Sequence, residues 1–139
     1  MAPLWKLCRD GKLDGVRSAL ARGVDVNDKD CDGSTALMCA VCRRDNSIVK
    51  LLLDQPGVKI NVKSKYGYTA LHYAAGFNNQ EAARMLLLHP TMESDNAKAN
   101  FGDTAVMIAV IKGQKEVLSE LVKHGSVSLD IGNVGEIER

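Results

Sequence analysis

The sequence predicts an all-α solenoid, built from stacked helix–turn–helix units joined by β-turn or hairpin loops. Three observations carry that prediction. Segments beginning DGSTALMCAV at Asp32, YGYTALHYAA at Tyr66 and FGDTAVMIAV at Phe101 repeat one another. Thr35, Thr69 and Thr104 lie 34 and 35 residues apart, and Gly33, Gly67 and Gly102 keep the same spacing; a period of about 20 to 50 residues marks a stacked array. Apolar residues inside each unit recur at helical spacing. Read backwards, the register puts Ala2 33 residues before Thr35, so PLWKLCRDGKLDGVRSALARGVDVN is a first unit and the array has four.

Each unit opens with a glycine turn and a threonine whose hydroxyl can accept from a free amide at a helix start, so Thr35, Thr69 and Thr104 are predicted N-caps. The first unit has Ala2 there and loses the cap, with Pro3 expected at the first helical position, where no amide partner is needed. The first helix should stop after about two turns at a residue able to take positive φ, a place held by Gly11, Arg44, Asn78 and Gly113. Arg44 carries a steric cost there because of its Cβ. A second helix follows, with apolar positions Leu13, Val16, Ala19 and Leu20 in unit one and Val117, Leu118, Leu121 and Val122 in unit four. Gly23, Gly57 or Gly125 marks its end. Two short helices cannot bury their apolar faces alone, so units must stack, advancing roughly 8 to 10 Å per unit. Ala40, Ala74, Ala75 and Ala109 let first helices approach, and Leu37, Leu71 and Val106 fill the space between layers.

The pattern D-x-x-G-x-T-A-L-x-x-A, a second helix ending L-L-L, and then G-V-D-V-N resembles the ankyrin repeat over roughly residues 2 to 130. The resemblance implies one domain over residues 1–130, with repeats at about 2–29, 30–63, 64–98 and 99–130. Departures are visible. The family's proline after threonine is Ala36, Ala70 and Ala105 here, and its histidine appears only as His72, which the resemblance gives a structural role on neighbouring turn backbone. Repeat three ends LHPTMESDN, so a distorted loop is expected near Pro90 to Asn96. Gly15 stands inside a helix where the family places valine. Polar residues should solubilise the end of the array, and Lys115, Glu116, Ser119, Glu120 and Lys123 are suited to that. Gly135 lies 33 residues after Gly102, so residues 131–139 are either a short tail or the start of a fifth hairpin in a longer array.

Composition narrows the function classes. The chain has 139 residues, is 45% apolar, and carries 18 basic against 17 acidic residues for a net charge of +1. It lacks the basic excess of a nucleic-acid binder, and its apolar runs, such as Ala105 to Ile111, fall short of the roughly 18 to 20 residues a spanning helix needs. A chain of this length and apolarity can bury a core without disulfide staples, so its four cysteines point to a reducing, intracellular compartment, the cytoplasm before the nucleus. Cys39 and Cys42 form C-x-x-C on a first helix, without the second ligand pair that zinc needs. No phosphate-binding G-x-x-x-x-G-K-[ST], nucleophile G-x-S-x-G or metalloprotease H-E-x-x-H motif occurs. No catalytic residue, metal or cofactor is therefore assigned.

What remains is binding. Four of the six aromatics crowd into twelve residues of repeat three: Tyr66 and Tyr68 flank the turn glycine, and Tyr73 and Phe77 are four apart on the first helix. The resemblance implies that turn tips and the inner side of first helices form a concave surface for a protein partner, and tyrosines commonly anchor such interfaces. Packing between repeats is the alternative for Tyr73 and Phe77. Lys29, Lys63 and Lys98 share one repeat position, six residues before each threonine, and stacking would align them as a ladder able to meet an acidic partner. Arg43 and Lys112 extend that surface, and Asp32, Phe101 and Asp103 complete the turn-tip candidates. The expected function is a non-enzymatic protein-binding module, monomeric alone; the alternatives are a self-associating scaffold segment and the N-terminal part of a longer array.

Overall fold

The computed structural model describes residues 2–93 and 97–124. The expected residues Asn96, Gly125 and 131–139 lie outside that range. The described residues form eight helices in two layers. An inner layer holds α1 (Leu4–Arg9), α3 (Ala36–Arg43), α5 (Ala70–Gly76) and α7 (Ala105–Lys112), each packed on the next. An outer layer holds α2 (Leu13–Ala21), α4 (Asn46–Leu53), α6 (Gln80–Leu88) and α8 (Lys115–His124), packed likewise. No helix among the described residues is long and apolar enough to cross a membrane.

The starts of the inner helices follow the predicted chemistry. Thr35, Thr69 and Thr104 are extended, and their side chains accept from the amides of Met38, His72 and Met107. Each such cap contributes about 1 kcal/mol. Unit one differs from expectation: Pro3 is the extended N-cap itself, and α1 begins one residue later at Leu4. Without a hydroxyl at Ala2, the turn is closed by the Pro3 carbonyl, which accepts from the amides of Lys6 and Leu7. The four stop positions all take the left-handed conformation, with φ of 72° at Gly11, 64° at Arg44, 52° at Asn78 and 69° at Gly113.

The outer helices are capped by Asp45 on α4 and Asn79 on α6, whose side chains accept from Ile48 and Ala82. Asn79 is buried and also donates to the Val41 carbonyl at 3.1 Å, tying repeat three to α3. Repeat three ends without a left-handed residue among those described; His89 turns extended instead. Asn61 then holds the chain, donating to the Thr91 carbonyl and accepting from the Glu93 amide. Asn27 does the same one repeat earlier with Gly57 and Lys59.

The core is one continuous stripe. Ala40, Ala74, Ala75 and Ala109 are fully buried between inner helices, and Leu37, Leu71 and Val106 fill the space beside them. Burying a large aliphatic side chain contributes roughly 1.5 to 3 kcal/mol. One expectation fails. Glu120 is only 2% exposed, so it does not belong to the polar end of the array. Its carboxylate accepts from Gln80 Nε2 at 2.8 Å and from Arg84 Nε at 3.3 Å. The helical period turns it toward α6, where a charge survives burial because hydrogen-bond donors meet it.

Candidate functional site

The turns and the inner helices build the site together. Each hairpin is closed by the same pair of main-chain bonds, seen at Ser64 N–H to Tyr68 O and Gly67 N–H to Ser64 O, and again at Ala99 N–H to Asp103 O and Gly102 N–H to Ala99 O. Consecutive hairpins are also bonded to each other: Lys65 N–H donates to Asp32 O at 2.9 Å, and Asn100 N–H to Tyr66 O at 3.1 Å. Gly67 is required where they meet, because its φ is +81° and a Cβ there would come within 2.6 Å of the Asn100 amide nitrogen.

His72 links helix to hairpin. The Thr69 amide donates to its Nδ1 at 3.0 Å, so that nitrogen is the acceptor and Nε2–H donates to the Asp103 carbonyl at 2.9 Å. Burial holds its pKa below 6.5, partly opposed by the carbonyl bond that favours the protonated form. This is the structural role the resemblance implied.

Above His72 lies a groove of about 300 Å³ between α5 and α7, lined by Tyr68, His72, Tyr73, Gly76, Phe77, Asp103, Ile108, Ile111 and Lys112. Five predicted residues therefore meet: Tyr68, Tyr73, Phe77, Asp103 and Lys112. Phe77 is 48% exposed, so it faces the groove mouth rather than packing between repeats; Tyr73 is half-buried. Tyr68 meets Tyr73 edge-on, with ring centroids 5.6 Å apart. Lys112 Nζ lies 3.4 Å from the Gly76 carbonyl.

The other predicted residues sit outside that groove. Tyr66 is 46% exposed at its hairpin tip, in ring contact with Tyr68, and Lys65 lies over its ring. Lys65 also pairs with Asp32 at 3.0 Å, a partner that sequence alone did not suggest. Phe101, at the next tip, is 89% exposed. Lys29, Lys63 and Lys98 are all exposed, but Lys63 spends a donor on the Lys98 carbonyl at 3.1 Å, so the ladder is partly a structural stitch. Arg43 lines a second groove of about 340 Å³ with Arg9, Asp30, Ser34, Met38, Cys39, Cys42 and Tyr73.

Ile108 and Ile111 were missed. The signal was available: α7 reads AVMIAVIK, apolar on every face, and a helix apolar all round has more to cover than one core. Ile111 is 69% exposed. Cys31 is exposed, and the other three cysteines are buried or half-buried. Burial pushes Cys8 and Cys42 up to about 12 and Cys39 to about 11, which keeps these thiols protonated at neutral pH.

Comparison with known proteins agrees with this architecture. The chain is 28% identical over 126 residues to the putative ankyrin repeat protein YahD of Escherichia coli (strain K12), covering 90% of this chain and 61% of that protein. It is 26% identical over 138 residues to Rabankyrin-5 of Homo sapiens, covering 97% of this chain and 12% of that protein. It is 30% identical over 86 residues to Serine/threonine-protein kinase 12 of Arabidopsis thaliana, covering 62% of this chain and 18% of that protein. The chain thus spans less than two thirds of each of these relatives. A model of three ankyrin repeats matches residues 4–96, and a model of one ankyrin repeat matches residues 101–134. With four helix pairs stacked through bonded hairpins, the chain belongs to the ankyrin repeat family, whose repeats generally serve as protein–protein interaction modules and not as enzymes.

Proposed function

We propose that this chain is a non-enzymatic module that binds a protein partner in the groove between α5 and α7 and on the hairpin tips beside it. One observation carries the reading: Phe77 and Ile111 are exposed and line the same groove as Tyr68 and Tyr73, whereas the other inner-helix aliphatics among the described residues are buried or half-buried. Contiguous exposed apolar surface around a concave opening is where soluble proteins dock partners. Tyr66 and Phe101 at the tips, and the lysines at 29, 63 and 98, enlarge that surface.

The module is proposed to be monomeric alone and to work in a reducing, intracellular compartment. A photo-crosslinking side chain in place of Phe77 tests the reading in cells, with the same group in place of Lys50 on the outer layer as control. Adducts to other proteins from position 77 and not from position 50 support it. Equal labelling from both positions refutes it, and adducts at twice the chain's own mass turn the reading to self-association.

A further inference from the structure

The two grooves described above are neighbours, and Tyr73 lines both. One extended segment can therefore run from one to the other without leaving the concave face. The first, between α5 and α7, offers Phe77, Ile108 and Ile111 to a bulky apolar side chain. The second is cationic. Arg43 is exposed and forms no ion pair among the described residues; its Nη1 donates only to the Arg9 carbonyl at 3.3 Å. Arg9 and Lys6 share the one carboxylate of Asp10, at 3.7 and 3.2 Å. Asp30, the acidic residue in that groove, already accepts from the amides of Asp32 and Ser34 through Oδ1.

Resting on the groove reading above, we propose that the partner is an extended peptide segment carrying a bulky apolar residue for the α5–α7 groove and an acidic residue for Arg43. The spacing follows from the repeat. Arg43 stands about one and a half repeats from the centre of the apolar groove, or about 12 to 15 Å at 8 to 10 Å per repeat. At about 3.3 Å per residue of extended chain, that is about four residues. The apolar groove sets one cation, Lys112, against one acid, Asp103, whereas the second sets two, Arg9 and Arg43, against Asp30, so the acidic residue is assigned to the second groove. A guanidinium without a fixed carboxylate partner is well suited to recognise one from another chain.

The test uses a phage-displayed library of random dodecapeptides panned on the full chain, followed by synthesis of the recovered sequences. The expected result is a family with an aromatic or branched aliphatic residue about four positions from Asp or Glu. Binding of those peptides should weaken about tenfold with Arg43→Glu, persist with Arg43→Lys, and return for Arg43→Glu when the peptide's acid is changed to Lys. Arg43→Gln replaces the charge reversal if the reversed variant melts early. Peptides that lose binding with Phe77→Ala but not with Arg43→Glu overturn the acidic anchor and leave the groove reading standing. Peptides indifferent to both variants overturn both. Recovery of no sequence family overturns the peptide inference.

Discussion

The concave face has two halves built on the same backbone. At the seventh and eighth positions after Ala2, Thr35, Thr69 and Thr104, which share one repeat register, repeats one and two carry Arg9, Asp10, Cys42 and Arg43, while repeats three and four carry Gly76, Phe77, Ile111 and Lys112. The first half is charged and mostly pairs its charges internally, as Lys6 and Arg9 do on Asp10. The second half leaves apolar side chains in solvent. Because the left-handed stops recur in all four repeats, and repeats two to four share their threonine caps and hairpin bonds, the difference does not come from the fold. A repeat array lets these positions vary independently of its core, so composition at two positions per unit is enough to divide one surface into an electrostatic part and an apolar part.

The largest effect should come from attacking the scaffold beneath the apolar half. Gly67→Ala places a Cβ at a left-handed φ and against the Asn100 backbone, and should cost about 3 kcal/mol. Gly102→Ala shares the φ but meets nothing within 4 Å, and should cost about 1 kcal/mol. Urea melts of the two variants decide this; equal losses would mean that hairpin stacking contributes nothing beyond backbone strain.

Next in size, Phe77→Ala and Ile111→Ala should each weaken binding of a groove peptide by about 1 to 2 kcal/mol and leave the melt within about 0.5 kcal/mol of the parent. Arg43→Ala should weaken it by less. If Arg43→Ala were the most damaging change, the charged half would be the dominant one and the comparison would be inverted.

Acid should act on the apolar half first. His72 has its folded pKa held below the ordinary 6.5, so its contribution is fully present above pH 6.5 and is lost as the pH falls from there toward the folded value. The parent should therefore lose stability on acidification from pH 6.5, and His72→Gln should flatten that slope. The same slope in both would place the acid sensitivity elsewhere.

The smallest change expected is a gain in the charged half. Gly15→Ala improves helix propensity by about 1 kcal/mol, but its Cβ would come within 3.1 Å of Leu7 Cδ2. Leu7 is only half-buried and can move, so a rise of a few degrees or less in Tm is expected. A fall would show that Leu7 is held in place.

Much of the fold was legible because local chemistry and the repeat agree. Threonine caps, glycine or asparagine stops and small inner alanines each have one physical use, and each recurs in register. Pro3 was misplaced by one residue because the φ that proline fixes, −66° here, suits the first helical position and an extended cap alike, and only ψ, 158° here, tells them apart. Glu120 was misread because a charged residue on a terminal helix looks solvated until the partner helix supplies Gln80 and Arg84. Tyr68, Tyr73 and Phe77, which line the proposed groove, stand out in the sequence as a cluster of aromatics. Ile108 and Ile111 escaped because aliphatics in a short helix are assigned to the core by default, and only the stacked geometry of α5 on α7 shows which face they present.

The bonds from Lys65 N–H to Asp32 O and from Asn100 N–H to Tyr66 O have one more consequence. They are made by main chain, so peptide dimensions set the interval between one hairpin and the next, and the side chains of Lys63, Lys65 and Asn100 reinforce it. The tips then behave like graduations on a ruler. Substitution at Tyr66 or Phe101 can rewrite what each mark reads while the interval between marks stays constant.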